Sequence, residues 1–302
     1  MTELVALQPQ IGARPPDAGK PIATRRATPW PAIGLLLPLG VLFALGFAIP
    51  LLTVAKFSLD SYSADTGQVS GWSFAQFQHV FSTPLLRDLM LRTFGLSLIT
   101  TAISVLLSYP LAIAITRGPS RVRGALMAVV LMPLMISVVV KTFGWTVLLG
   151  SSALPQRILD GLHIPVKLLF TQVGVMIGLV HTYMPFMVLS LVASLAAMDR
   201  RTEEAAASLG SGPWRVFRTV TFPQTLNGLA AGSVLTFAAS LSALVTPQLL
   251  GGGKVSTIVT TIYDQATSAQ NFPLASALGI VLLLLTMVIM FAQASVVRRA
   301  TR

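Results

Sequence analysis

Six long apolar runs restrict what this chain can fold into more than any other feature of its sequence. The runs cover residues 33–55, 93–115, 125–149, 173–196, 229–249 and 274–296. An α-helix needs about 20 apolar residues to cross the hydrocarbon core of a bilayer. A backbone inside lipid must satisfy its own hydrogen bonds, so we predict that each run is a helix, kinked where it contains proline. The predicted fold is all-α, a polytopic transmembrane bundle of six helices.

Composition supports a membrane protein and excludes several kinds of site. Only 10% of the 302 residues are charged, whereas soluble domains carry about 25%. There is no cysteine, and the three histidines are far apart in sequence, so we predict no metal site. The net charge is +11, but the basic residues lie mostly between the apolar runs. They therefore indicate membrane topology and a lipid partner rather than nucleic acid.

The distribution of Lys and Arg predicts how the chain crosses the membrane. Basic residues are concentrated before the first run and at 117–123, 200–218 and 298–302. Because cytoplasmic loops carry more Lys and Arg, these stretches and both termini are predicted to be cytoplasmic. Residues 1–29 are polar and rich in proline, which predicts a disordered cytoplasmic tail. Residues 30–302 form the predicted membrane domain.

The cytoplasmic stretch 198–228 has the pattern of a short capped helix. Thr202 is a candidate N-cap, and Glu203 and Glu204 complement the positive end of the helix dipole. An alanine run favours the helix, and Gly210 is placed to end it in the left-handed conformation. Such a small helix at the membrane surface is suited to entering a groove on another protein.

The same stretch resembles the EAA signature of ABC-importer permeases. The spacing matches throughout, with Phe222 where leucine is usual, and the residues that carry it are Glu204, Ala205, Ala206, Gly210, Val220 and Pro223. The resemblance implies a coupling helix that docks on a nucleotide-binding subunit. It also implies that ATP-driven motion reaches the spans through Glu203, Glu204, Ala205, Ala206, Gly210 and Pro223.

Softer motifs extend the resemblance over residues 33–297, toward permeases of the spermidine/putrescine type. They are Tyr109–Ala112, Lys141–Trp145, Tyr183–Phe186 and Val245–Gly253. The resemblance implies a type I ABC-importer permease in the cell inner membrane. The implied partners are a second homologous permease, ABC ATPase subunits and a periplasmic binding protein. The implied solute is polyamine-like, or an opine, iron, thiamine or phosphonate, which the same subfamily also serves.

The chain has no GxxxxGK[ST] sequence for binding nucleotide phosphates. We therefore expect that it is not an enzyme, that it holds no cofactor, and that ATP is bound by a partner subunit. The main alternative is an ion-coupled secondary transporter, which predicts carboxylates within the spans and inverted repeats. A membrane-embedded enzyme is a third possibility. No Asp or Glu lies in any apolar run, and no catalytic grouping is recognisable, so the ABC permease is preferred.

Polar residues inside the apolar runs are candidates for the translocation path. Lys141 is the only charge well inside a run, and it either lines the path or extends to the outer interface. A lysine on the path would repel a polyamine. Trp145 can stack on an amine or ring solute, or anchor the helix at the interface. The remaining candidates can line a wet cavity or hydrogen-bond between helices, and they are Tyr183, Ser240, Ser242 and Thr246.

Overall fold

The computed structural model describes residues 30–62 and 69–300, so the predicted tail of residues 1–29 lies outside the described residues. By its contacts the chain divides into two units, Met1–Pro50 and Leu51–Arg302. The described part of the first unit is helical, with α1 at Trp30–Phe43, a π-helical turn at Ala44–Ala48, and the start of α2 at Ile49–Ser58. Pro50 is the second residue after the π turn. Because proline has no N–H to donate, the regular hydrogen-bond ladder is interrupted there.

The described residues of the second unit form helices and one two-stranded antiparallel sheet. In chain order its elements are β1 (Asp60–Tyr62), β2 (Val69–Trp72), α3 (Ala75–Ser82), α4 (Pro84–Arg117), α5 (Ser120–Met135), α6 (Val138–Leu148), α7 (Leu154–Gly161), α8 (Gln172–Ala197), α9 (Arg201–Ser208), α10 (Pro213–Val216), a π-helical turn (Phe217–Thr221), α11 (Phe222–Gln224), α12 (Leu226–Leu241), α13 (Val245–Gly251), α14 (Ile258–Thr267) and α15 (Phe272–Ala300).

Four of the described helices are long and apolar enough to cross a membrane, and six spans result if each of two bent helix pairs counts as one. The six predicted spans are therefore compatible with the structure. However, the prediction of one helix each for runs 125–149 and 229–249 is wrong. The first is α5 and α6, bent by 104°, and the second is α12 and α13, bent by 58°.

Local chemistry accounts for part of this difference. Pro247 is the third residue of α13, a position where the missing N–H has no helical partner to lose. The helix therefore restarts just before this proline instead of kinking at it. Between α5 and α6, Ile136 and Ser137 have ψ of 136° and 138°, which lie outside the helical range. By contrast, Pro110 and Pro185 lie inside α4 and α8, which continue past them.

The core of the second unit forms where α4, α8 and α12 pack against one another. Gly228 and Gly232 of α12 permit the closest approach. A Cβ atom at Gly228 would lie 2.6 Å from the carbonyl oxygen of Ser190, and one at Gly232 would lie 3.1 Å from the Cα of Met187. Small residues four apart let membrane helices pack backbone to backbone. This pair fixes α12 closely against α8.

The stretch 250–273, which separates the last two apolar runs, contains helix α14. The side chains of Thr257 and Thr260 form a reciprocal capping box at the start of α14. The next N–H, of Ile258, donates to the hydroxyl of Thr93 on α4 over 2.9 Å. These bonds attach α14 to the bundle.

Candidate functional site

Residues 198–228 are here named the 198–228 segment. Helix α9 of this segment begins at Arg201, two residues before the expected first residue, Glu203. Asp199 caps it, because its Oδ1 accepts from the N–H of Arg201 over 3.0 Å. The predicted cap, Thr202, is wrong: its hydroxyl donates to the carbonyl of Asp199 over 2.7 Å. Both residue types favour helix starts, but only the Asp199 side chain precedes the free N–H groups.

The predicted end of α9 at Gly210 is confirmed. Gly210 has φ of 81°, a left-handed conformation that glycine adopts without steric cost. Its N–H donates to Ala207, and the N–H of Ser211 donates to Ala206 over 3.2 Å. These two bonds form a Schellman motif, which satisfies the last carbonyls of the helix.

The two neighbouring glutamates of α9 have different surroundings. The carboxylate of Glu203 forms an ion pair with Arg117, at the end of α4, and accepts a hydrogen bond from the hydroxyl of Thr221. Only 14% of its side chain is exposed, whereas Glu204 is exposed. Glu203 therefore joins α9 to α4 and to the following π turn, and Glu204 is available to other molecules.

The remaining residues predicted for coupling lie at or near the surface. Ala205 and Pro223 are exposed, and Ala206 is half-buried. Two large apolar side chains beside them are also uncovered, with Leu209 88% and Trp214 72% exposed. The 198–228 segment thus combines a fixed inner side with an outer side of small and apolar groups.

Lys141, predicted for the path, is buried and bonded to the backbone. Its ammonium donates to the carbonyl of Pro133 over 2.7 Å, and only 9% of the residue is exposed. Pro133 lies in the last turn of α5, where carbonyl groups lack helical partners and a cation is favourable. Lys141 of α6 therefore caps the C-terminal end of α5 across the break between the two helices.

Trp145 lies one turn after Lys141, and both line a cavity of about 680 Å³. The indole N–H donates to Nδ1 of His181 on α8 over 3.2 Å, and the two rings meet edge to face. Tyr183, two residues further along α8, stacks on Phe186 with ring centroids 6.4 Å apart. The structure brings Lys141 and Trp145 together and leaves Tyr183 in an aromatic contact.

The three hydroxyl candidates find partners close by. Ser240 donates to the carbonyl of Phe237, and Ser242 to that of Ala238, both within their own helical turn. Thr246 lies 3.5 Å from the hydroxyl of Thr142 on α6. Ser240 and Thr246 are buried and Ser242 is exposed, so these side chains do not share one surface of the described chain.

Sequence reasoning missed Arg117 and Thr221, the two partners of Glu203. The position of Arg117 at the end of a span indicated only topology, but its side chain also pairs with Glu203 of α9. The distances along the chain, 86 residues from Arg117 and 18 from Thr221, hide the pairing. Only the packing of α9 beneath α4 brings the three residues together.

Two named permeases are similar in sequence to about two thirds of this chain. The spermidine/putrescine transport system permease protein PotB of Haemophilus influenzae is 30% identical over 211 residues, which are 69% of this chain and 74% of that protein. The molybdenum transport system permease protein ModB of Azotobacter vinelandii is 29% identical over 203 residues, 66% of this chain and 89% of that protein.

Solved structures show the same fold at lower sequence identity. A bacterial alginate ABC transporter, solved with an alginate pentasaccharide-bound periplasmic protein, superimposes with a TM-score of 0.73 at 18% identity, covering 91% of this chain and 96% of that one. The fold is thus that of a type I ABC-importer permease. Residues 104–302 match the model of one family, the inner membrane component of binding-protein-dependent transport systems. That match includes the end of α4, the helices α5 to α15, and the 198–228 segment with its EAA signature. The chain therefore belongs to this family of multi-pass inner membrane permeases.

Proposed function

We propose that this chain is the permease subunit of an ABC importer that moves a small polyamine-like solute across the inner membrane. A separate ATPase subunit supplies the energy by docking on the 198–228 segment. The observation that supports this proposal is that the two sides of α9 have different partners. Glu203 is bonded to Arg117 within the chain, while Glu204, Ala205 and Leu209 are exposed for a partner. A docked helix of this kind can pass movement directly into α4.

The proposed assembly follows from the family and from the charge distribution. It contains two ATPase subunits, a second homologous permease and a periplasmic binding protein. A periplasmic protein is present in the similar alginate transporter structure, which supports the last of these partners. Both termini and the 198–228 segment are cytoplasmic in this proposal, as the concentration of Lys and Arg favours. ATP is then hydrolysed entirely by the partner, and the chain itself is not an enzyme and binds no cofactor.

The ammonium of Lys141 bonds to the carbonyl of Pro133 but keeps its charge. In this proposal Lys141 therefore lies off the path, because a lysine on the path would repel a polyamine. Trp145, beside Lys141 on the same cavity, offers an aromatic face to a cationic amine. In this proposal Trp145, Tyr183 and the hydroxyl candidates contribute to the path, and Lys141 maintains the helix break beside it.

Similarity at this level does not by itself select the solute. Relatives at 30% and 29% identity are named for spermidine/putrescine and for molybdenum transport. We therefore propose that the separate binding protein determines most of the selectivity, and that opine, iron, thiamine and phosphonate transport are the alternatives to test. Measuring which solute the purified binding protein binds decides among them.

Docking is tested by isolating the chain together with its ATPase. We expect Glu204→Lys to reduce the amount of ATPase that copurifies and to abolish spermidine uptake, because the reversed charge lies on the exposed side of α9. The matched control is Asp264→Lys, a charge reversal at an exposed residue of α14, which should leave ATPase copurification unchanged. Equal copurification by both variants would contradict docking on the 198–228 segment.

Orientation is tested by labelling single cysteines, since the natural chain has none. A membrane-impermeant maleimide should label Ser152→Cys in intact spheroplasts and Ala207→Cys only after permeabilisation. Both positions are exposed. Labelling of Ala207→Cys from outside would overturn the cytoplasmic placement of the 198–228 segment.

A further inference from the structure

A buried hydrogen bond connects α4 to the end of the 198–228 segment. The hydroxyl of Tyr109 lies 2.7 Å from that of Thr225, and the two residues are 8% and 0% exposed. The Thr225 hydroxyl also donates to the carbonyl of Thr221 over 3.0 Å. A threonine has one hydroxyl hydrogen, so while that hydrogen is directed at the Thr221 carbonyl, Tyr109 is the donor to Thr225. The bond joins α4 to the residue that precedes α12.

Aromatic rings extend this contact toward the surface. Tyr109 meets Phe217 edge to face at 5.5 Å and stacks with Phe222 at 6.1 Å. Phe217 in turn stacks on Trp214 at 5.6 Å, and Trp214 is 72% exposed. A continuous series of rings thus runs from the surface of the 198–228 segment into the side of α4.

The π-helical turn is what places two of these rings together. Phe217 and Phe222 are five residues apart, and on a regular α-helix such residues point about 140° away from each other. In the turn Phe217–Thr221, the N–H of Phe222 bonds to the carbonyl of Phe217, and this wider turn brings both rings toward Tyr109. Phe222, where the EAA signature usually has leucine, is thereby in stacking contact with the span.

We propose that Tyr109 is a second positioning residue, besides the Glu203–Arg117 pair, through which movement of the 198–228 segment reaches α4. This inference rests on the proposed function. The next residue, Pro110, lies inside α4 and cannot donate a backbone hydrogen bond, so the helix is easiest to bend there. A displacement of the segment therefore acts on α4 beside its most deformable point. Arg117 and Glu203 hold the end of the same helix, and Tyr109 adds a second attachment two turns deeper.

The test removes the hydrogen bond from either side while keeping the shapes. Tyr109→Phe and Thr225→Val are made in the complete transporter, reconstituted in vesicles with its ATPase, companion permease and binding protein. Radiolabelled spermidine uptake and ATP hydrolysis are measured together. We expect ATPase association to be retained and spermidine moved per ATP to fall roughly two- to tenfold, the range that one hydrogen bond supports. The double variant should be no worse than the single ones.

Thr286→Val is the matched control, since its hydroxyl donates to Leu282 within α15. It should keep the wild-type ratio of transport to hydrolysis. A wild-type ratio in Tyr109→Phe and Thr225→Val would overturn the role of Tyr109, as would loss of ATPase association in both, which indicates a docking support only. Failure of the wild-type chain to bind the ATPase would instead overturn the proposed function, and the inference with it.

Discussion

The 198–228 segment and the proposed path differ in where their polar side chains find partners. In the segment, Glu203 bonds to Arg117 and Thr225 to Tyr109, so its partners belong to a span far away in sequence. On the path, Ser240 and Ser242 bond to their own helix. The segment and α4 are thus joined into one body. The hydroxyls of Ser240 and Ser242 depend on little beyond their own turn, whereas Thr246 lies 3.5 Å from the hydroxyl of Thr142 on α6. The effects of substitution should therefore spread from the 198–228 segment and stay local at Ser240 and Ser242.

The largest effect is expected where α12 leaves the segment and packs on α8. Gly228→Val would place a side chain against the carbonyl of Ser190, and forced overpacking costs about 1–3 kcal/mol or more. We expect the folded protein to be largely lost, as measured by monodispersity in detergent after heating. Gly279→Val is the control, because nothing lies within 4 Å of a Cβ atom there. Equal stability of the two variants would refute the close packing.

Reversing the charge of Glu203 should have the next largest effect. Glu203→Arg brings a cation against Arg117, and we expect uptake to fall roughly tenfold because like charges at short range repel. The reciprocal pair, Glu203→Arg with Arg117→Glu, should recover much of the uptake at equal expression. No recovery in the pair would show that Glu203 acts on a partner subunit instead of on α4.

A smaller effect is expected at the end of α9. Gly210→Ala must adopt φ of 81°, which costs a residue with a Cβ atom about 1 kcal/mol. Hydrogen exchange of the amides at 206–211 should accelerate about fivefold as this helix end opens more often. Gly212→Ala is the control, because Gly212 has φ of −66° and the same free space around it. Equal exchange in the two variants would mean that the backbone conformation of Gly210 has no effect.

The smallest effect on stability is expected on the path. Ser240→Ala removes a hydroxyl that bonds within its own helix, so the free energy of unfolding should change by less than about 0.5 kcal/mol. Lower spermidine uptake at unchanged stability is the result expected of a residue on the path. A large loss of stability would instead assign Ser240 to packing between helices.

The sequence predicted features that depend on neighbours in the chain. The apolar runs coincide with the four long apolar helices and the two bent helix pairs of the described residues, and the alanine run followed by Gly210 identified the end of α9. The sequence alone could not distinguish Glu203 from Glu204, because these adjacent carboxylates differ only after folding places Arg117 beside Glu203. The break between α5 and α6 was missed for the same reason, since it is maintained by a contact eight residues apart that no local pattern reveals.

The bond between Lys141 and Pro133 limits the shapes that this part of the chain can take. On a straight helix the two residues would be about 12 Å apart along the axis, beyond the reach of a lysine side chain. The bond is therefore possible only while α5 and α6 are sharply bent. Straightening them would leave an ammonium group in the membrane without its acceptor. The charge of Lys141 thus stabilises the bend between α5 and α6. Any transport step that straightens these two helices must provide the ammonium with another oxygen acceptor.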